Sequence, residues 1–184
     1  MLTLGLGFIF LAVAGIAITG FAVPTPRRVR VHRDAETVPG LIGLVLRHRE
    51  LLRLDIGVFV LHAMLTASFL VVPDLLRDTL DVSTRNQWMV YLPVLVVSVI
   101  VMAPAIIVAE KYRRMKGVFV ASIAALLVSQ VVLYFGAANF YAVLAGLTVF
   151  FCGFNIMEAS LPSLITKAAP PDAKGTAVGV YSSL

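Results

Sequence analysis

The sequence has 184 residues, of which 60% are hydrophobic and only 14% are charged. Soluble domains average about 45–50% apolar and about 25% charged residues, so this composition excludes an ordinary water-soluble fold. The formal net charge is +5, and most charged residues lie in short clusters between long apolar runs. This distribution is typical of membrane topology signals and not of a nucleic-acid-binding groove.

The first apolar run extends from Met1 to Val23 and contains no charged residue. A helix needs about 20 mainly apolar residues to cross about 30 Å of hydrocarbon. A cleaved secretory signal would instead begin with basic residues and have a shorter apolar stretch. We therefore predict that residues 1–23 form a transmembrane helix.

The next segment, residues 24–53, is rich in arginine. Because basic residues favour the cytoplasmic side of a membrane, we predict a cytoplasmic loop. The cluster from Arg27 to Arg33 could also bind anionic lipid headgroups, and the sequence leaves both roles open. The arginines of this segment are Arg27, Arg28, Arg30, Arg33, Arg47, Arg49 and Arg53.

Four more apolar runs cover residues of about 54–76, 88–109, 117–136 and 140–165, and residues 175–184 resemble the start of another. In lipid, only helices and closed barrels satisfy every backbone polar group. Barrel strands would be about half as long as these runs and would alternate in polarity. The predicted fold class is therefore all-α, a polytopic transmembrane helix bundle.

The basic residues also predict the orientation of the bundle. Thirteen of the 15 lysines and arginines fall on one predicted side, and only Arg77 and Arg85 fall on the other. The positive-inside rule places the first side in the cytoplasm. The predicted cytoplasmic segments are 24–53, 110–116 and 167–174.

Three strings resemble parts of the major facilitator superfamily. The basic segment "PTPRRVRVHRDAETVPGLIGLVLRHREL" is similar to the linker between the two six-helix halves, followed by the seventh helix. The string "AEKYRRMK", residues 109–116, resembles the family's loop motif, although Ile106 and Arg113 stand where that motif has glycines. The acidic and basic motif positions are matched by Glu110, Lys111, Arg114 and Lys116.

The third string, "FNIMEASLPSLITKAAPPDAKGTAVGVYSSL", looks like the end of the tenth helix, a turn and the start of the eleventh. Together the strings are similar to the YajR-like branch of the drug–proton antiporters. The resemblance implies that residues 1–23 end the N-terminal half and that 54–184 form a partial C-terminal half. The chain is then a fragment whose partners are the remainder of the same transporter, the lipid bilayer and a small-molecule substrate.

The same resemblance implies a secondary transporter of the bacterial inner membrane, an antiporter driven by a proton gradient. Its expected activity is efflux of small compounds, amphipathic ones included. The alternative is a structural or regulatory membrane subunit without a transport path. Such a subunit would keep Glu158 sequestered between helices and away from water.

Glu158 is the leading candidate for the transport pathway, because ionisable groups inside a membrane are costly and mark functional sites. It lies about eight residues, or roughly 12 Å, from the cytoplasmic end of its span. His62 lies at a similar depth in the second span. Histidine titrates near neutral pH, so a His–Glu pair could relay protons. Either side chain could instead serve only to join helices.

Asn155 and Pro162 lie within one turn of Glu158 in the sequence. Asn155 shares a helical face with Glu158 and could bind the substrate or a neighbouring helix. Pro162 removes the hydrogen bond to the carbonyl of Glu158, which predicts a kink there. Arg53 and Asp55 are expected to be interfacial charges, with a gating salt bridge as the alternative.

Nothing in the sequence predicts a metal or catalytic site. The single cysteine, Cys152, lies inside an apolar run. The sequence contains no P-loop, zinc-ligand spacing or nucleophile elbow. We therefore expect no metal, no cofactor, no enzyme activity and no nucleic-acid partner.

Overall fold

The structure is a computed structural model, and it describes residues 12–17, 20–21 and 37–183. The chain divides into two compact units, Met1–His32 and Arg33–Leu184. In the first unit, residues 12–17 and 20–21 are helical. The rest of the predicted first span, and the basic cluster from Arg27 to Arg33, lie outside the described residues.

The second unit is helical, with no strand among residues 37–183. Short 3₁₀ turns at Pro39–Leu41, Thr84–Asn86 and Pro171–Ala173 connect its helices. The helices are α1 (Ile42–Arg47), α2 (Arg49–Asp78), α3 (Trp88–Lys111), α4 (Met115–Phe135), α5 (Phe140–Ala168) and α6 (Lys174–Tyr181).

Helices α2 to α5 are long and apolar enough to cross a membrane, and they confirm the predicted all-α transmembrane fold. Helix α2 begins at Arg49, five residues before the predicted span, because arginine and glutamate are good helix formers outside the hydrocarbon. His48 has an extended backbone (ψ 109°) and separates α2 from α1. Helix α1 therefore lies within the segment predicted as a linker.

The turn between α4 and α5 is formed by local hydrogen bonds. The N–H of Gly136 donates to the carbonyl of Val132 at 2.8 Å and ends α4. The side-chain oxygen of Asn139 then accepts from the N–H groups of Tyr141 and Ala142 at 2.9 and 3.1 Å. An asparagine in this position caps the first turn of a helix, which is why α5 begins directly after it.

Helix α5 is the central helix of the unit. Half of its most apolar stretch is buried, compared with 17% for each of α2, α3 and α4. Phe150, Leu147 and Leu161 on α5 are almost completely buried in the main apolar cluster. The other long helices contribute to this cluster Val58, Leu61, Val94 and Leu126.

Two glycines let α5 approach α4 closely. A Cβ added at Gly146 would lie 2.8 Å from Cγ of Leu133, and one added at Gly153 would lie 3.0 Å from the carbonyl oxygen of Ser122. Small residues at such contacts permit close packing of transmembrane helices. The α4–α5 interface therefore has no room for a side chain at either glycine.

A second, smaller apolar cluster joins α1, the first turn of α2, the end of α5 and α6. Its buried members include Val45, Leu51, Ile165 and Ala177. The backbone N–H of Val38 donates to Oγ1 of Thr176 at 2.9 Å, and Thr176 is fully buried. These contacts fix α6 and α1 against the same end of the bundle.

Candidate functional site

The structure brings His62 and Glu158 together. Nε2 of His62 on α2 lies 3.8 Å from Oε2 of Glu158 on α5, and the two side chains are 44% and 42% exposed. The ring of His62 packs edge-to-face on Phe154, with centroids 6.0 Å apart. A phenylalanine one turn before Glu158 therefore helps to hold the imidazole beside the carboxylate.

The hydrogen bonding of His62 indicates where its proton lies. Nδ1 is 3.1 Å from the carbonyl oxygen of Val58. A carbonyl can only accept, so Nδ1 carries the hydrogen of this bond, and Nε2 of the neutral ring is then an acceptor. Oε2 of Glu158 is buried and has no hydrogen-bond partner among the described residues.

Two acceptors therefore face each other across the 3.8 Å gap between Nε2 and Oε2. Without a proton, the lone pair of the imidazole and the carboxylate oppose each other. With one proton the pair becomes either an imidazolium beside a carboxylate or a neutral imidazole beside a carboxylic acid. The 3.8 Å separation is longer than a hydrogen bond but close enough for a charge on one group to act on the other.

Asn155 makes a hydrogen bond to a neighbouring helix, with a partner that the sequence did not identify. Its Nδ2 donates to Oγ of Ser98 on α3 at 2.8 Å. Ser98 is fully buried, and its own hydroxyl donates to the carbonyl of Leu95 at 2.8 Å. Of the two roles open for Asn155, the helix–helix contact is present. A serine inside an apolar run was the only sequence signal for this partner.

We expect Ser98→Ala to lower the stability of the protein by about 1 kcal/mol, since it leaves the Asn155 amide without its acceptor. Ser129→Ala is the matched control, because Ser129 is equally buried but bonds only to the Leu126 carbonyl of its own helix. SDS-induced unfolding in mixed micelles measures both variants. Equal losses of stability would show that the Asn155–Ser98 bond contributes nothing.

A second polar cluster joins the ends of α3 and α5. Nζ of Lys167 donates to both carboxylate oxygens of Glu110, at 3.0 and 3.2 Å, and Oγ of Ser163 donates to Oε1 at 3.1 Å. The charged side chains are about half exposed. An exposed ion pair of this kind contributes little to stability, because solvent screens it. Its value therefore lies in joining two helix ends and not in global stability.

The other predicted loop residues make fewer contacts. Nζ of Lys111 lies 6.0 Å from the ring centroid of Tyr112. Arg114 precedes α4 and Lys116 lies in its first turn, and neither forms an ion pair or a side-chain hydrogen bond within the part of the chain that the structure describes. Helix α5 is continuous through Pro162, so a kink at this residue stays a prediction.

The family relationship rests on sequence. The family model of the Major Facilitator Superfamily matches residues 1–184.

The chain belongs to the major facilitator superfamily.

Named transporters are among the relatives of this major facilitator chain. It is 38% identical over 173 residues to the inner membrane transport protein YajR of Escherichia coli, covering 94% of this chain and 38% of that protein. It is 23% identical over 176 residues to an uncharacterized transporter of Buchnera aphidicola from Acyrthosiphon pisum, covering 95% of this chain and 45% of the relative. The chain thus spans less than half the length of these relatives. No solved structure matches it.

The backbone at Arg113, one departure from the facilitator loop motif, is left-handed. Arg113 stands where the motif has a glycine, and its φ is 54°. This left-handed conformation favours glycine and costs other residues roughly 1–2 kcal/mol. The turn between α3 and α4 therefore holds an arginine in a conformation that glycine adopts more readily.

Lys167 and Ser163 are the site residues that sequence reasoning overlooked. Lys167 lies in segment 167–174, which the sequence predicts to be cytoplasmic, and its distance in the sequence from Glu110 gives no indication of contact. The available signal was electrostatic. Glu110 and Lys167 carry opposite charges near the ends of two spans that the predicted orientation places on the same side.

One apolar cavity has neither His62 nor Glu158 in its lining. It has a volume of about 850 Å³ and runs between α2 and α4, with Leu54, Gly57, Phe119 and Leu127 among its lining residues. A second cavity of about 800 Å³ continues along the same two helices toward Phe135. Both linings are predominantly apolar and include neither His62 nor Glu158, so neither cavity identifies the pathway.

Proposed function

We propose that this chain is part of a proton-coupled secondary transporter that exports small compounds, amphipathic ones included, across the bacterial inner membrane. One observation carries this proposal. Nε2 of His62 and Oε2 of Glu158, on two membrane helices, face each other at 3.8 Å. One proton relieves the repulsion between these two acceptor atoms. The pair can therefore bind and release that proton as its access to water changes from one side of the membrane to the other.

The exposure of the pair favours transport over a purely structural subunit. A subunit without a transport path would keep the carboxylate between packed helices, whereas 42% of the Glu158 side chain and 44% of His62 are exposed. Both side chains can therefore meet water or substrate at the surface of this unit. In a complete facilitator, the second half of the transporter would form the opposite wall of the pathway.

The relatives support the location and the activity. YajR is named an inner membrane transport protein, and we propose the same membrane for this chain. The basic segments 24–53, 110–116 and 167–174 are proposed to be cytoplasmic, because basic residues favour that side. The contact of Glu110 with Lys167 would then lie at the cytoplasmic ends of α3 and α5, where we propose that it acts as a gating contact.

The proposal can be tested with the full-length transporter in proteoliposomes whose lumen is acidic. If proton exit is exchanged for an amphipathic substrate, a fluorescent cation such as ethidium should accumulate in the lumen. Uptake should be at least several times that of protein-free vesicles. Proton movement is followed in parallel with a pH-sensitive dye trapped in the lumen.

A protonophore provides the control, because it removes the gradient without touching the protein. Uptake that continues unchanged in its presence would refute proton coupling. Proton-coupled uptake of other small solutes but not of amphipathic dyes would refute the substrate class alone. The two parts of the proposal are therefore tested separately.

A further inference from the structure

Asp55 on α2 is buried, although the sequence suggested an interfacial charge. Only 4% of the residue is exposed, so that expectation was wrong for Asp55. The residue lies one turn after Leu51 and one turn before Val58, which are 0% and 2% exposed. Leu51 belongs to the smaller apolar cluster and Val58 to the main one. Asp55 is therefore placed on the buried face of α2, between two apolar clusters.

No described group neutralises the Asp55 carboxylate. Its Oδ2 atom is buried and has no hydrogen-bond partner within residues 37–183. No basic side chain in that range forms an ion pair with it, and the alternative of a gating salt bridge with Arg53 is not formed. Lys167, the basic residue near the end of α5, is paired with Glu110.

The elements packed against this part of α2 are α1, α5 and α6. Toward the shared cluster they present mainly apolar residues such as Val45, Ile165 and Ala177. The titratable and charged groups on these elements and at their junctions are Arg47, His48, Tyr141, Cys152, Glu158, Lys167, Asp172, Lys174 and Tyr181. None of them forms a hydrogen bond or an ion pair with Asp55.

Burial of Oδ2 without a partner favours one form of the carboxyl group. Burying an unpaired ion is strongly unfavourable, even after the protein relaxes. A neutral carboxylic acid avoids most of that cost and needs only ordinary hydrogen bonding. The geometry therefore favours a carboxylic acid at Asp55 in this conformation.

We propose that Asp55 is a second proton-binding carboxyl of the transporter. It lies seven residues before His62 on the same helix, about 10 Å along the helix axis. When the packing of α2 against α5 and α6 opens to water, the acid releases its proton to solvent and leaves a hydrated carboxylate. Reclosure requires a proton to return from water. The place of Asp55 in the transport pathway rests on the proposed function, whereas proton binding by Asp55 does not.

Infrared spectroscopy tests proton binding without any transport assay. The purified full-length protein is titrated with acid and base, and the carbonyl stretching band of neutral carboxylic acids is followed. In the unaltered protein, a band from a buried acid should persist at neutral pH. Asp55→Asn should remove the intensity of one carboxyl group from it. Asp74→Asn is the matched control, because Asp74 lies on the same helix but is 64% exposed and paired with Arg77.

If the neutral-pH band is unchanged in Asp55→Asn, or if Asp74→Asn reduces it equally, the proposal is overturned. Asp55→Glu provides a second test should the asparagine variant fail to fold. It should shift the frequency of the band without removing it, and an unshifted band would also overturn the proposal. Loss of the band in a protein that shows no proton-coupled transport would contradict the proposed function but leave proton binding at Asp55 established.

Discussion

Substitution of Glu158 by glutamine is expected to reduce proton-driven uptake in proteoliposomes to the level of protein-free vesicles. Glutamine retains the shape of the side chain and can still hydrogen-bond, but it cannot bind and release a proton. Its amide could donate to Nε2 of His62, which now faces Oε2 of Glu158 at 3.8 Å. The variant would therefore resemble the protonated pair permanently, and the release step would be lost.

Glu50→Gln is the control for this experiment, since Glu50 lies in the first turn of α2, outside the His62–Glu158 pair. It should transport like the unaltered protein. If His62 and Glu158 act as a unit, adding His62→Gln to Glu158→Gln should cause no further loss, because coupled residues are not additive. Uptake by Glu158→Gln that remains sensitive to a protonophore would eliminate Glu158 as the coupling residue.

Leucine at Gly153 is expected to destabilise the α4–α5 interface strongly. An added Cβ would lie 3.0 Å from the Ser122 carbonyl oxygen and 3.3 Å from Cγ of Leu126. The backbone carbonyl cannot rotate away as a side chain can, so α4 and α5 must separate. Overpacking of this kind typically costs about 1–3 kcal/mol. The midpoint of thermal unfolding in detergent, read by size-exclusion chromatography, should fall clearly.

Gly57→Leu separates this effect from the introduction of leucine itself. Gly57 is also within a membrane helix, but a Cβ there meets no atom within 4 Å. Its unfolding midpoint should match that of the unaltered protein or rise slightly, because leucine has a higher helix propensity than glycine. Equal midpoints for Gly153→Leu and Gly57→Leu would contradict close α4–α5 packing.

The membrane helices could be predicted because lipid imposes a simple rule on the sequence. Apolar runs long enough to cross the hydrocarbon can be identified from hydropathy alone, without knowing which helices pack against them. The starts of helices were less predictable. Hydropathy marks where the hydrocarbon begins, whereas the helical backbone of α2 continues outward to Arg49 and stops only at the extended residue His48.

The candidate site was predictable in part, because polar residues are conspicuous within apolar runs. His62 and Glu158 stand out in apolar runs, and their matching depth suggested a contact that the structure contains. The partners of Asn155 and Glu110 could not be found in this way. Those contacts depend on how α3 is rotated toward α5, and a run as uniformly apolar as residues 88–109 gives no periodic signal for that rotation. Asp55 was misjudged because its position near the end of a span does not reveal which face of α2 is covered.

The central position of α5 also affects the order in which the protein can assemble during synthesis. Helices α2, α3 and α4 leave the ribosome before the helix that joins them, so each must wait in the bilayer without its main partner. Three buried serines on these helices do not need α5 to satisfy their hydroxyl groups. The hydroxyls of Ser98, Ser122 and Ser129 donate to carbonyls of their own helices at 2.8, 3.0 and 2.6 Å. An early helix can therefore enter lipid with these polar groups already satisfied, and the arrival of α5 completes the bundle.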